Sequence, residues 1–236
     1  MRDRAVTRSS TGTPQGGVIS PVLANIYLRR LDRCWQQLGS GVPVRYPDDL
    51  LVMCHIHAEA EAALMALRAV MVELGFRLKD AKTRIVHLRE GGEGLDFLGF
   101  HHRWVRARRP RHVTFLARWP ARQAMQRARD RIREPTDRKR LLLPVEVIVQ
   151  DINPFLRGWA GYFRHGNSAH HFDAIGDYAA RRLALLVTIR HQQRRSYGWS
   201  VLTVQSPNRL GLIALSGIVV APRPNRDWGG LAGCRR

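Results

Sequence analysis

The sequence predicts an α+β protein: an antiparallel sheet with covering helices in the first half, then an α-helical domain. Three observations carry this expectation. Helical and strand-like segments alternate from Thr11 to about Phe100, helical periodicity alone runs onward from about Pro144, and an arginine-rich stretch lies between them. The expected boundaries are 1–105 for the mixed region, 106–143 for a basic connector, 144–205 for the helical domain and 206–236 for a C-terminal tail.

The first element is SPVLANIYLRRLDRCWQQLG (20–39), with Val22, Leu23, Ile26, Tyr27, Leu31, Cys34, Trp35 and Leu38 at helical spacing. Ser20 can cap it, Pro21 suits its first turn, and Gly39 can end it. Next comes VPVRYPDDLLVMCH (42–55), in which Val42 and Val44 alternate with Pro43 and Arg45, and Leu50 to Met53 form a short apolar run. That pattern is a strand, a tight turn and a second strand, with Asp48 and Asp49 at the tip. Paired carboxylates held by a hairpin suit a hard divalent cation such as Mg²⁺. An ordinary solvated turn is the plain alternative, since Pro and Asp are common turn formers. AEAEAALMALRAVMVELG (58–75) is a second amphipathic helix closed by Gly75, and RIVHL (84–88) and LDFLGF (95–100) are strand-like.

Basic residues number 39 against 19 acidic ones, and all but Lys79, Lys82 and Lys139 are arginine. Arginine presents a planar fork suited to phosphate and stacks on bases, so nucleic acid is the first partner to consider. The excess is concentrated. Between residues 101 and 140, thirteen arginines and Lys139 face only Asp130, Glu134 and Asp137, with Trp104, Phe115 and Trp119 interleaved. Arg106, Arg108, Arg109 and Arg111 are the candidate contacts there; a solvated basic face is the alternative.

In the helical domain, Asn153 is expected to cap a helix begun by Pro154, and HHFDAIGDYAARRLALLVTIRHQ (170–192) continues with Phe172, Ile175, Tyr178, Leu183, Leu186 and Ile189 on one side. Trp159, Tyr162 and Phe163 read as packing residues, whereas Arg157 and Arg164 are candidates for phosphate contacts. Cys34, Cys54 and Cys234 show neither zinc-ligand spacing nor a disulfide framework, which fits a reducing, cytoplasmic setting. No apolar run approaches the roughly 18 residues of a membrane span, so no membrane partner is expected.

The order GTPQGGVISPVLANIYL (12–28), YPDDLLV, GFRLKDAKTRIVHL (75–88) and LDFLGF resembles the reverse transcriptases encoded by group II introns, and INPFLRGWAGYFRHGNSAHHFDAIGDYAARRL (152–183) resembles their maturase, or thumb, domain. The resemblance covers about residues 12–200 and implies part of a polymerase palm followed by an RNA-binding helical domain. Asp48 and Asp49 then match the Mg²⁺-binding aspartates of the palm hairpin. Tyr46 supports the nucleotide site, Gln15, Gly16 and Gly17 position template and incoming nucleotide, and Lys82 lies near the triphosphate. Residues 95–100 correspond to the primer grip. Intron RNA, an RNA/DNA duplex and a nucleoid- or RNA-associated location are the implied partners and place.

Two departures from the family pattern stand out. Pro47 replaces the usual alanine, and proline cannot adopt a turn that needs positive φ at its first central position. A two-metal polymerase also needs an aspartate from an earlier strand, and Asp3 has no strand pattern around it. The expectation is a chain that binds RNA but lacks polymerase activity alone: a maturase remnant, or one half of a polymerase completed by a separately encoded upstream half. No zinc-finger-like endonuclease segment is expected after the thumb.

Overall fold

The computed structural model describes residues 19–39, 41–47, 49–107, 112–205 and 211–220. They form an α+β arrangement with two small antiparallel sheets and several helices. The chain divides into two compact units, residues 1–87 and 88–236.

In the first unit, α1 (Ser20–Leu38) is followed by the hairpin β1 (Val42–Tyr46) and β2 (Asp49–Met53), then α2 (His57–Glu73). Ile19 rather than Ser20 occupies the N-cap of α1, with the proline in its first turn. Gly39 ends it with φ of 64°, a left-handed backbone that costs glycine little. Leu31 and Trp35 of α1 pack with Ala63, Leu67, Val70 and Leu74, joined by Leu50 and Val52 from β2. The apolar stripe read from the sequence is buried only in its second half. Val22 and Ile26 in its first half are exposed. The segment 84–88, expected as a strand, has no regular structure.

The second unit opens with a three-stranded sheet in the order β3 (Leu95–Phe97), β4 (Phe100–Arg106) and β5 (Thr114–Pro120). LDFLGF is therefore a hairpin and not a single strand. Leu98 and Gly99 form its two-residue turn, with φ of 50° and 76°. Positive φ at both central positions matches the right-handed twist of the flanking strands. The Tyr162 hydroxyl donates to the Leu98 carbonyl at 2.8 Å, and the Phe163 ring packs on Phe100 at 4.8 Å. These contacts seat the turn against the end of a helix.

Four helices follow: α3 (Arg122–Arg133), α4 (Val145–Phe163), α5 (Ala169–Arg190) and α6 (Arg195–Gln205). The stretch expected as a connector is thus built into the unit. Met125, Ala128 and Ile132 of α3 share a core with Ile148, Ile152 and Leu156 of α4 and Phe172, Ile175 and Leu183 of α5. Helix α4 does not begin at Pro154, as expected; it starts nine residues earlier at Val145 and carries Pro154 inside. Asn153 caps nothing there. Its side-chain amide donates to the Gly211 carbonyl at 2.7 Å and its oxygen accepts from the Ile213 N–H at 3.1 Å. Leu212 and Leu215 are buried beside it, and the Val220 N–H reaches the Arg164 carbonyl at 2.6 Å. Residues 211–220, expected as tail, form a strap along α4.

Candidate metal and nucleic-acid sites

The hairpin register pairs Tyr46 with Asp49 across a two-residue turn entered by Pro47, and Arg45 with Leu50. Opposed residues share a face and successive residues alternate, so the two faces differ in character. One carries Arg45, Leu50 and Val52, half-buried with Leu50 and Val52 packed on the core, and Pro43, exposed at its far end. The other carries Val42, Val44, Tyr46, Asp49, Leu51 and Met53, all exposed except the half-buried Leu51. Tyr46 and Asp49 thus stand side by side on the open face at its tip. Pro47 does not prevent the hairpin: positive φ among described non-glycine residues is confined to Leu98 and Gln192, so this turn begins with proline's ordinary negative φ.

Sequence reasoning missed the group behind the turn. Arg45 holds Asp32 of α1 in a two-pronged ion pair, Nε to Oδ1 at 3.0 Å and Nη2 to Oδ2 at 2.7 Å. Its Nη1 donates to Asn25 Oδ1 at 3.0 Å and to the Pro47 carbonyl at 3.1 Å. The Asp32 hydrogen bond raises the Arg45 pKa beyond its already high ordinary value, against a smaller opposing effect of burial. The available signal was a lone arginine on the covered face of β1, with Asn25 and Asp32 seven residues apart and therefore on one side of α1.

Lys82 is exposed on the turn after α2, where its N–H donates to the Lys79 carbonyl at 2.9 Å. Arg68 of α2 pairs with Asp80 at 2.8 Å and ties this turn back to the helix. No polar contact among the described residues links Lys82 to the hairpin. Gln15, Gly16, Gly17 and Asp48 lie outside the described residues, as do Arg108, Arg109 and Arg111.

Of the basic candidates described, Arg157 on α4 and Arg164 just past its end are exposed and seven residues apart, on one side of the helix. Arg106 differs, because its Nε lies 2.6 Å from Glu90 Oε1 and its Nη2 3.0 Å from Oε2. That hydrogen bond holds the Glu90 carboxyl below the ordinary carboxylate range.

Mg²⁺ takes hard oxygen donors and is commonly held by one or two carboxylates together with water and phosphate. Asp49 fits in kind, as an exposed carboxylate at a fixed turn. It fits in number only as part of a shell, since no three His, Cys, Asp or Glu side chains converge among the described residues.

Residues 2–102 match the reverse transcriptase (RNA-dependent DNA polymerase) family, and residues 125–202 match the group II intron maturase-specific domain. The chain belongs to the group II intron reverse transcriptases/maturases. The reverse transcriptase match takes in the whole first unit from residue 2 and enters β4, while the maturase match begins in α3 and ends in α6. The chain is also similar to Protein YkfC of Escherichia coli (strain K12), at 31% identity over 42% of this chain and 34% of that protein. It therefore spans about a third of the length of that curated relative. Among the described residues, no helix of this reverse transcriptase/maturase is long and apolar enough to cross a membrane.

Proposed function

We propose that the hairpin is the metal-binding turn of an RNA-directed DNA polymerase palm and that the second unit holds group II intron RNA or an RNA/DNA duplex. The carrying observation is the Tyr46–Asp49 pair, which closes a two-residue turn on the open face of the sheet. On this reading Asp48 and Asp49 are carboxylate ligands of Mg²⁺, which when bound activates the primer 3′-hydroxyl and offsets triphosphate charge. Tyr46 flanks the incoming nucleotide, Gln15, Gly16 and Gly17 position it with the template, and Lys82 neutralises phosphate charge. Arg157 and Arg164, with Arg106, Arg108, Arg109 and Arg111, meet the nucleic-acid backbone. Two adjacent carboxylates hold only part of a two-metal centre, so a further aspartate, such as one from a separately encoded polymerase half, completes it. The working location is with RNA in the cytoplasm or nucleoid.

Two measurements on the 236-residue chain test this reading. Fluorescence anisotropy with structured RNA should show affinity falling steeply with salt as phosphate counterions are released. Binding that ignores salt would overturn the RNA assignment. Primer extension on an RNA template should give no product with Mg²⁺ or Mn²⁺. Incorporation that Asp48→Ala abolishes would mean this chain completes the centre itself.

A further inference from the structure

We propose that Arg45 is a positioning residue for the aspartate turn, clasping it from the covered face and anchoring it to α1 through Asp32 and Asn25. This inference rests on the hairpin being the metal-binding turn. The geometry leaves Arg45 little freedom. Its guanidinium engages two carboxylate oxygens, one amide oxygen and one turn carbonyl, and its side chain is only 14% exposed. A planar fork can hold such partners simultaneously, whereas a lysine ammonium on a flexible stem cannot reproduce the arrangement.

The Pro47 carbonyl is the contact that matters. A peptide unit is planar, so fixing that oxygen fixes the plane leading from Pro47 into the next residue. Arg45 thereby reaches the turn through the backbone, leaving the Asp49 carboxylate free to ligate from the opposite face. Charge is handled in the same contact. A lone guanidinium behind the turn would repel a divalent cation, but Asp32 neutralises it where it stands. Asn25 adds an uncharged acceptor to the other nitrogen, so the clasp gains a partner without gaining charge. The hairpin has only two strands and one covered face. Its tip therefore depends on this side-chain anchor to a degree that a turn inside a wide sheet would not.

The test uses the full chain with Arg45→Lys, Arg45→Gln, Asp32→Asn and, for the metal reading itself, Asp49→Asn. Amide hydrogen exchange reports the turn, and titration with Mn²⁺ followed by paramagnetic resonance reports the ligands. Arg45→Lys and Arg45→Gln should lose exchange protection in residues 45–50 while α1 and α2 keep theirs. Mn²⁺ affinity should fall about 10- to 100-fold, as expected when support behind a metal ligand is lost. Asp32→Asn should weaken Mn²⁺ similarly by leaving Arg45 uncompensated. If Arg45→Lys leaves exchange at the tip unchanged, the clasp is overturned. Loss of protection spread evenly over both helices would also overturn it, since that is what a general packing role would give. If Asp49→Asn leaves Mn²⁺ binding untouched, the metal reading falls, and the exchange data still judge whether Arg45 holds the turn.

Discussion

Arg106 and Glu90 form a two-pronged ion pair, 2.6 Å between Nε and Oε1, on the surface of the second unit. An arginine so occupied must give up a carboxylate before it can take a phosphate. Arg157 and Arg164 are exposed with no such partner among the described residues. Arg106→Ala should therefore weaken RNA binding less than Arg157→Ala or Arg164→Ala. Glu90→Gln should tighten binding and steepen the salt dependence by about one unit of slope, the share of one phosphate contact. Anisotropy across a salt series measures both.

His102 and His171 lie half-buried in the second unit, each with its pKa pushed down. For His102 the causes are burial, then the charges of Arg118 and His101, opposed by Asp96; for His171 they are burial, then His170. The unfolded chain binds these protons at a pH nearer 6.5, so it holds more of them than the folded chain as pH falls. Stability should be fully present above the unfolded value and decline as pH drops below it through the depressed folded values. Urea melts at pH 7.5 and pH 5 should show the loss, and His171→Gln should reduce it.

Phe172, Ile148 and Leu183 are fully buried where α3, α4 and α5 meet. Leu183→Ala should cost about 2–5 kcal/mol, combining lost burial with a cavity. Chemical denaturation followed by far-ultraviolet circular dichroism checks this in the helical signal.

The Pro154 ring interrupts the hydrogen-bond ladder within α4, and the residue is exposed, so its replacement meets little steric resistance. Pro154→Ala should restore one helical hydrogen bond and stabilise the second unit by up to about 3 kcal/mol. A raised urea midpoint is the expected readout.

Val42, Val44 and Met53 on the hairpin and Val22 and Ile26 on α1 are apolar and exposed, and the two-stranded sheet has open edges. Such surfaces promote association between copies. Light scattering after gel filtration in low salt should find aggregates that RNA disperses, and Val44→Lys should reduce them.

Periodicity made α1, α2 and α5 legible, because each carries apolar residues on one stripe with a glycine or polar residue near its end. The YPDD hairpin was legible from alternation around paired turn formers. What escaped followed from long-range packing. Residues 84–88 read as strand-like but find no partner strand among the described residues. Pro154 reads as a helix start, yet the core contacts of Ile148 and Ile152 carry the helix through it. The role of Asn153 depends on Gly211 and Ile213, about sixty residues away, and the clasp of Arg45 on α1 leaves no local pattern. Arginine content signalled a polyanionic partner but not which arginines are already occupied, as Arg106 is.

The strap of residues 211–220 has a consequence for the order in which the second unit comes into being. Its Leu212 and Leu215 complete a core whose helix α4 ends at Phe163. A ribosome makes the chain from one end, so α3, α4 and α5 emerge well before the residues that cover them. Nascent α4 must wait with its Asn153 side open, and a message broken before the codon for Gly211 would release a polypeptide with that side of α4 bare. Domains closed by late-made segments are the ones most exposed to chaperones and proteases during synthesis.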